Sequence, residues 1–534
     1  MKKIPLGIQS FRKIIEGGYV YADKTQYVYS LLNDASYYFL SRPRRFGKSL
    51  LLDTVAEVFS GERELFEGLW IYGSDYDFKK HPVIRIDLSN IANGTPEILQ
   101  ESILSRLGIL YAAEGFTLDN RITADAFFKL ILLLHQKYNE RVVVLVDEYD
   151  KPILDHINDL ELAEANRMAL KSFFGVLKSS DAHLRLTLFT GVSKFTKTSI
   201  FSELNNLLDI TLAERYANIC GITTADLDRY FDEHLKNLAT RARFKQFGSV
   251  RDCILAWYDG YSWDGETRVL NPFSLLSFFS REQFLSFWYA SGTPKFLMDL
   301  LKKKPESFLA LENLEISERV LDSFDVGSIE IEPLLFQTGY LTVKEVRYDL
   351  GTPYYRLEMP NWEVREAFNL QLIAEFTEKG NTFTEGAYLG LREAFKTGEV
   401  QKVRKILSGL FASIPYDLHV PLETYYHSIF YAVMLLLGFK IDAEVSVAGG
   451  RIDAILELND LVYVFEFKYQ QCPPDASPAD RRKLADEALA EGLKQIKDRG
   501  YADKYQGSGK TIHLAAFAFL GRDNIEVRAE SSEG

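Results

Sequence analysis

The stretch Tyr37–Ser49, YYFLSRPRRFGKS, decides the fold of the N-terminal part of the chain. Its apolar run Tyr37–Leu40 predicts a short buried strand, and the segment Leu50–Phe59 behind it places apolar residues at helical spacing. A strand, a loop and a helix in this order can bind phosphate, because the helix N-terminus presents free N–H groups to an anion. The stretch therefore predicts a phosphate-binding loop in an α/β domain.

The residues of this loop predict nucleotide binding. Lys48 would contact the β- and γ-phosphates, and the Ser49 hydroxyl would hold Mg²⁺. The general pattern G-x-x-x-x-G-K-[ST] has Arg42 at its first glycine here, so Pro43 restricts the turn instead of a permissive glycine. The predicted ATP-binding residues of the loop are Arg45, Phe46, Gly47, Lys48, Ser49 and Leu50.

A second motif, VVVLVDEYD at Val142–Asp150, lies further along the chain. Its apolar run predicts a buried parallel strand with Asp147 and Glu148 at its C-terminal end, where open α/β sheets place their ligand chemistry. This arrangement is typical of a Walker B motif. Asp147 would bind Mg²⁺ through water, and Glu148 would orient and deprotonate the attacking water. The loop and this strand together predict ATP hydrolysis.

The strands Val83–Ser89 and Leu184–Ser193 alternate with helical segments in the same region, which predicts a mostly parallel sheet. In P-loop ATPases of the AAA-like branch, the strand beside the Walker B strand ends in a polar residue that touches the γ-phosphate. Thr190 and Ser193 both suit that position, and Ser193 is slightly favoured. Residues 1–36 are a candidate location for an adenine pocket.

Length and composition indicate a folded protein of several domains. The chain has 534 residues, too many for one core, and 47% of them are hydrophobic. The net charge of −13 argues against a generally basic nucleic-acid coat but allows a local basic groove. The three cysteines are far apart, so they predict neither a disulfide framework nor a zinc knuckle. Because the N-terminus lacks an apolar segment and the longest apolar run is too short to cross a bilayer, we expect a cytoplasmic protein with no membrane partner.

Four segments, SRPRRFGKS, VDEYDKP, FTGVSKF and FSELNNL, resemble a bacterial and archaeal family of AAA-ATPase-like proteins. That family commonly carries a nuclease domain of the PD-(D/E)XK superfamily at its C-terminus. The loop of the family also reads RPRRFGKS, so Arg42 fits the resemblance. The similarity covers most of the chain.

The region over residues 216–362 has a different character, with helical segments separated by aromatic turns such as Trp257–Trp263. The segments Leu334–Val343 and Pro353–Asn361 predict a β-hairpin joined by a turn-like piece. We predict a helical, winged-helix-like lid here and a helical connector over residues 363–415. The aromatic side chains are interpreted as core rather than as a platform for stacking bases.

The C-terminal part contains a second set of residues that suit catalysis. The segments Gly449–Leu458 and Leu461–Tyr469 predict two strands joined by a tight hairpin. Alternation places Glu466 and Lys468 on one face of the second strand. Asp453 and Glu466 would hold Mg²⁺ for phosphodiester hydrolysis, and Lys468 would stabilise the nucleophile. Interior strand positions rarely carry such charges unless they are paired or bind metal.

This pattern resembles the PD-(D/E)XK nucleases. The resemblance implies a restriction-endonuclease-like fold and a divalent metal, either Mg²⁺ or Mn²⁺, at the site. The residues that it assigns are Asp453, Glu466 and Lys468 as the catalytic motif, Glu423 as the metal-binding acid of the preceding helix, and Gln495 beside the site.

The sequence thus predicts a multidomain α/β protein. Its predicted parts are a P-loop ATPase domain with a mostly parallel sheet over residues 1–215, the winged-helix-like region over 216–362, the connector over 363–415, and a nuclease-like α/β domain over 416–534. The predicted function is ATP hydrolysis coupled to a metal-dependent nuclease, with nucleic acid as partner and DNA as the expected substrate. The alternative is a nucleotide-dependent switch whose C-terminal domain binds nucleic acid or a partner without cutting. Assembly into a homo-oligomer is left open.

Overall fold

A computed structural model describes most of the chain: residues 1–194, 200–201, 204, 206–288, 314–321, 330–377, 381–411, 433, 440–447, 450–457, 460–473, 476–500, 502–520 and 524–533. The described residues within Met1–Gly292 and Leu311–Glu363 form one compact unit, and those within Val364–Gly534 form another. The predicted boundaries at residues 215, 362 and 415 stay predictions. No described helix is both long enough and apolar enough to span a membrane.

The first unit contains the helices of the region around the parallel sheet and those of the helical middle region. They are α1 Phe11–Glu16, α2 Thr25–Asp34, α3 Lys48–Val58, α4 Pro96–Ala113, α5 Thr123–Tyr138, α6 Lys151–Leu154, α7 Leu160–Ser179, α8 Thr224–Tyr230, α9 Asp232–Ala239, α10 Val250–Tyr258, α11 Pro272–Arg281, α12 Glu318–Leu321 and α13 Ile331–Thr338. Its strands are β1 Tyr37–Ser41, β2 Val83–Asp87, β3 Val142–Asp147, β4 Leu184–Gly191, β5 Leu208–Asp209, β6 Ile222–Thr223, β7 Val269–Leu270, β8 Leu314–Ser317, β9 Thr342–Asp349 and β10 Thr352–Glu358.

Five described strands of this unit form one sheet in the order β2-β3-β4-β1-β5, and every pairing in it is parallel. The strand β3 is buried along its whole length, as its run of valines and leucine requires of a central parallel strand. Parallel strands end at the same edge of a sheet, so β1 and β3 deliver the phosphate-binding loop and the Walker B carboxylates together, with β4 between them. The predicted parallel sheet is confirmed.

The predicted hairpin exists, but its first strand was assigned wrongly. The strand is β9, and the apolar segment before it forms helix α13, which ends at Gly339 with φ +93°. A short apolar run suits a buried helix as well as a strand, so its periodicity could not decide. The turn between β9 and β10 consists of Leu350 and Gly351, both with positive φ, as a two-residue hairpin loop requires.

Many aromatic residues of this region are buried, as predicted, whereas Phe247 and Tyr348 are exposed. Phe231, Tyr258 and Phe278 belong to one apolar cluster that joins α8, α10 and α11. These rings therefore contribute to packing and not to a surface that could stack bases.

The second unit is an α/β arrangement around a mixed sheet. Its described helices are α14 Trp362–Thr377, α15 Asn381–Thr397, α16 Val400–Phe411 and α17 Pro478–Asp498, and its strands are β11 Lys440–Val447, β12 Gly450–Glu457, β13 Leu461–Gln470, β14 Thr511–Leu520 and β15 Asn524–Glu533. The strand order is β11-β12-β13-β14-β15, with β13 and β14 parallel and the other pairs antiparallel. The predicted hairpin of β12 and β13 is confirmed, whereas β11 was not predicted.

The two faces of β13 pack against different helices. Val462 and Val464 share an apolar cluster with Leu489 and Leu493 of α17. On the other face, Phe465 lies 6.1 Å from the ring of Phe395 in α15. This alternation puts Glu466 and Lys468 on the α17 face.

Candidate functional site

The phosphate-binding loop is built by the end of β1 and the start of α3. Gly47 is the N-cap residue of α3 and has φ +93°, a conformation that side-chain-bearing residues rarely adopt. A β-carbon added at Gly47 would meet no atom within 4 Å, so backbone conformation and not space explains the glycine. The conformation lets the loop turn directly into α3, whose first N–H groups are the donors that an anion would use.

Lys48 lies inside this loop. Its Nζ donates to the backbone oxygens of Arg42 at 2.9 Å and Pro43 at 3.1 Å. Burial lowers the pKa of Lys48, and the three carboxylates of the segment Asp147–Asp150 oppose that shift. The ammonium group is thus held between the loop carbonyls and the acidic end of β3.

The two carboxylates of the predicted Walker B motif occupy different environments. Asp147 is buried, and its Oδ1 accepts hydrogen bonds from the Thr190 hydroxyl at 2.6 Å and from the backbone N–H of Glu148 at 3.1 Å. Glu148 is half-buried with φ +49°, and burial raises its pKa while Lys48 acts in the opposite direction. A raised pKa suits a general base that must accept a proton near neutral pH.

Two polar residues at the end of β4 have different partners. The Thr190 side chain contacts Asp147, whereas Ser193 uses its backbone N–H to donate to Asp150 Oδ2 at 2.6 Å. Among the described residues, the buried Ser193 hydroxyl has no hydrogen-bond partner. Ser193 as the residue that touches the γ-phosphate stays a prediction, and Thr190 orients the Asp147 carboxylate through its hydrogen bond.

The other predicted loop residues differ in how deeply their side chains are buried. Phe46 is 1% exposed and packs edge-on against Tyr261 at 4.7 Å, so only its backbone can reach a phosphate. The Arg45 guanidinium is 4.2 Å from the ring of Phe273, and Ser49 is half-buried in the first turn of α3. Their roles in ATP binding stay predictions.

A cavity of about 110 Å³ lies beside Gly47. Its walls are mostly apolar and include Ile8 and Tyr21 from the N-terminal segment, Leu51 from α3, and Cys220. Residues 1–36 were a candidate location for an adenine pocket, and this cavity is where they border the phosphate-binding loop. An apolar cavity next to a phosphate-binding loop suits a purine base.

Asp150 joins the end of β3 to the end of β4. It is 1% exposed, and its Oδ2 accepts from the backbone N–H groups of Val192 at 2.9 Å and Ser193 at 2.6 Å. Burial raises the pKa of Asp150 to about 6, against the opposing effect of the Ser193 hydrogen bond. Asp150 was not predicted as a functional residue, although its place in the DEYD segment was a usable signal.

Replacing Asp150 by asparagine should flatten the pH dependence of stability. The folded state keeps the Asp150 proton to a higher pH than the unfolded chain does, so this residue lowers the free energy of unfolding as pH rises from about 4 to about 6. An asparagine oxygen can accept the same two N–H groups without ionising. We compare the free energies of unfolding of the N-terminal unit in urea, for Asp150→Asn and the wild type, at pH 4 and at pH 7. Between pH 4 and pH 7, we expect the difference to shift by about 1–3 kcal/mol in favour of the variant. Parallel pH profiles of the two proteins would contradict this.

The predicted nuclease residues form a chain of polar contacts on the α17 face of the second sheet. Glu466 is 2% exposed, and its Oε1 accepts from Lys468 Nζ at 3.3 Å. Lys468 Nζ also donates to Gln495 Oε1 at 2.6 Å. The structure therefore brings Glu466, Lys468 and Gln495 together from β13 and α17.

The remaining predicted metal ligands are placed only in part. In β12, Ala454 pairs with Phe465 of β13, and Asp453 is the residue before Ala454 in the same strand. Its side chain and the whole of Glu423 lie outside the described residues. Among the described side chains, no three His, Cys, Asp or Glu residues form a group that could hold a metal ion. The metal set of Glu423, Asp453 and Glu466 therefore stays a prediction.

Gly492 allows α17 to approach the strands beside this site. A β-carbon there would come within 2.9 Å of the Ala516 β-carbon, and it would lie 3.8 Å from the Cγ atoms of both Glu466 and Lys468. Sequence reasoning missed this residue, because a helical glycine has no local signature of close packing.

Substitution of Gly492 by alanine should weaken both the fold and the site. The helix must move away from β14, which should separate Gln495 from Lys468 and cost about 1–3 kcal/mol of stability. Gly409 in α16 is the matched control, because an added β-carbon there meets nothing within 4 Å. We expect Gly409→Ala to be neutral or stabilising in thermal unfolding, and equal effects of the two substitutions would contradict the packing argument.

Comparison with known proteins gives results for both parts of the chain. Residues 5–201 match the family model described as a predicted AAA-ATPase, and residues 422–528 match that of the PD-(D/E)XK nuclease superfamily. The chain is also similar along its length to an uncharacterized protein of the vnfD 5′ region of Azotobacter chroococcum mcd 1. The two are 40% identical over 533 residues, which cover 98% of each chain.

Proposed function

Because the chain belongs to the family of AAA-ATPase-like proteins with a C-terminal domain of the PD-(D/E)XK nuclease superfamily, we propose that it hydrolyses ATP and cleaves DNA in a metal-dependent reaction. The observation that carries this proposal is that one chain contains two separate clusters of charged side chains, each suited to one of these reactions. Lys48 faces the acidic end of β3, and the buried Glu466 accepts a hydrogen bond from Lys468.

The first centre has oxygen ligands and a positively charged lysine that suit a nucleoside triphosphate bound with Mg²⁺. The hard ion prefers carboxylate and hydroxyl oxygens, which Asp147 and Ser49 provide. Bound Mg²⁺ would neutralise part of the phosphate charge. Lys48 would stabilise the charge that develops on the transferred phosphoryl group, and Glu148 would accept a proton from the attacking water. Thr190 fixes the orientation of the Asp147 carboxylate through its hydrogen bond.

The second centre would act on the phosphodiester backbone. Glu466 of β13 and Asp453 of the paired strand β12 would supply carboxylate oxygens to Mg²⁺ or Mn²⁺. Bound metal would polarise the phosphate and lower the pKa of a water ligand. Lys468 would stabilise the hydroxide nucleophile with its positive charge, and Gln495 would keep the lysine in place through the 2.6 Å hydrogen bond.

Plasmid and single-stranded DNA cleavage, with Mg²⁺ or Mn²⁺ and with or without ATP, tests this function. The Asp453→Ala protein is the blank. Cutting that disappears in the blank supports the nuclease, and its dependence on ATP reports coupling between the two centres. No cutting with either metal, together with intact ATP hydrolysis, would favour the alternative of a nucleotide-dependent switch that binds nucleic acid or a partner.

A further inference from the structure

Arg42, the residue at the first glycine of the general loop pattern, is completely buried. Its guanidinium donates to the backbone oxygens of Ser41, Thr211 and Tyr216 at 2.9, 2.8 and 3.2 Å. The same group lies 3.9 Å from the ring of Trp263. Burial lowers the pKa of Arg42 to about 10, so the side chain stays charged at neutral pH and can make a cation–π contact. The side chain thus points into the unit, where its partners are backbone oxygens and an aromatic ring.

Trp263 is itself held from two sides. It is 4% exposed, and the ring of Phe46 packs edge-on against it at 5.4 Å. The preceding residue, Ser262, accepts from the backbone N–H of Val343 at 3.2 Å and donates its own N–H to the Thr342 hydroxyl at 2.6 Å. The segment that carries Trp263 is therefore fixed to strand β9.

The backbone of Arg42 contacts the lysine that would bind phosphate. Lys48 Nζ donates to the Arg42 carbonyl oxygen at 2.9 Å. A side chain that fixes the path of Arg42 therefore also fixes an acceptor that positions Lys48. A glycine at this position would offer neither the buried guanidinium nor its carbonyl contacts, and its backbone would be freer.

We propose that Arg42 and Trp263 form a positioning pair that fixes the phosphate-binding loop, in place of the conformational role of the missing glycine. The inference rests on the proposed nucleotide binding. Trp263, whose segment is hydrogen-bonded to β9, packs against the loop residues Arg42 and Phe46. Arg42 in turn accepts a hydrogen bond from Lys48, the residue that would contact phosphate. Arg42 and Trp263 do not themselves contact nucleotide.

The test is the substitution Arg42→Gly, which restores the general pattern and should nevertheless weaken binding. We expect the ADP dissociation constant to rise about tenfold or more, because buried hydrogen bonds from a charged group and a cation–π contact are lost. Adenosine affinity should change little, because adenosine has no phosphate for the loop to hold. Binding is measured by calorimetry well below the unfolding temperature.

Two further variants and a control complete the experiment. Trp263→Leu should reproduce the selective loss of ADP affinity, and Trp263→Phe should restore most of it because an aromatic face remains. Arg63→Gly is the control: Arg63 is an exposed arginine of the same unit, and its guanidinium donates to the Tyr72 backbone oxygen at 3.0 Å and lies 4.8 Å from the Tyr72 ring. It should leave both affinities unchanged. If Arg42→Gly does not fold, the ADP and adenosine affinities are compared in Arg42→Lys and Trp263→Leu instead.

Three results would separate the possible failures. Wild-type ADP affinity in folded Arg42→Gly would overturn the positioning pair while leaving nucleotide binding intact. An equal loss of ADP and adenosine affinity would also overturn it, because that indicates general destabilisation. Absence of ADP binding in the wild type would instead contradict the proposed function on which the inference rests.

Discussion

Replacing Lys48 by alanine is expected to lower ATP turnover by roughly 10²–10³-fold, because the group that would stabilise charge on the transferred phosphoryl group is removed from a buried site. In the wild type, Lys48 Nζ is held by two loop carbonyl oxygens and faces the carboxylates at the end of β3. The measurement is steady-state phosphate release with saturating Mg²⁺ and ATP. The proposed nuclease centre lies in the other unit, so metal-dependent cleavage without ATP should persist in this variant.

Lys129→Ala is the matched control for charge removal in the same sheet-containing unit. Lys129 is a partly exposed residue of α5 that pairs with the exposed Asp119 at 2.7 Å. An exposed pair of this kind contributes little to stability, so turnover should be unchanged. Wild-type turnover in Lys48→Ala would remove Lys48 from its proposed role, whatever the control does.

The second large effect is expected at Glu466. Glu466→Gln keeps the shape of the side chain but removes a negative charge, and should lower DNA cleavage by roughly a thousandfold or more, because several kcal/mol of metal-dependent stabilisation is lost. ATP hydrolysis should persist. Thermal stability should be equal or higher, because a carboxylate that is 2% exposed is costly to bury and a site kept for chemistry is not optimised for stability.

Glu457→Gln is the control on the same sheet. Glu457 is an exposed carboxylate at the end of β12 that pairs with Lys510 at 2.5 Å. Its substitution should leave cleavage unchanged. If Glu466→Gln cuts DNA normally, or loses cleavage only together with ATP hydrolysis and thermal stability, Glu466 has a structural role and not the catalytic one.

Much of both centres could be predicted because their signals are local in sequence. The run Tyr37–Leu40, the loop and the apolar face of α3 are contiguous, so order and periodicity were enough to predict the phosphate-binding loop. The two-residue alternation of β13 likewise placed Glu466 and Lys468 on one face, since the side-chain period of a strand is fixed by its backbone. Gln495 was assigned only by family resemblance, and the structure adds its hydrogen bond to Lys468.

The sequence by itself determined the α/β class, the parallel N-terminal sheet, and the residue types that each centre offers. Only the tertiary structure decided which residues position the side chains of these centres. Thr190 donates a hydrogen bond to Asp147, Gly492 lets α17 approach Glu466, and Arg42 stacks on Trp263. The tertiary structure also made a helix of Ile331–Thr338, where an apolar run suited either element. The physical reason is the same in each case. These contacts join residues far apart in the chain, and close packing between separate elements leaves no periodic trace in either segment.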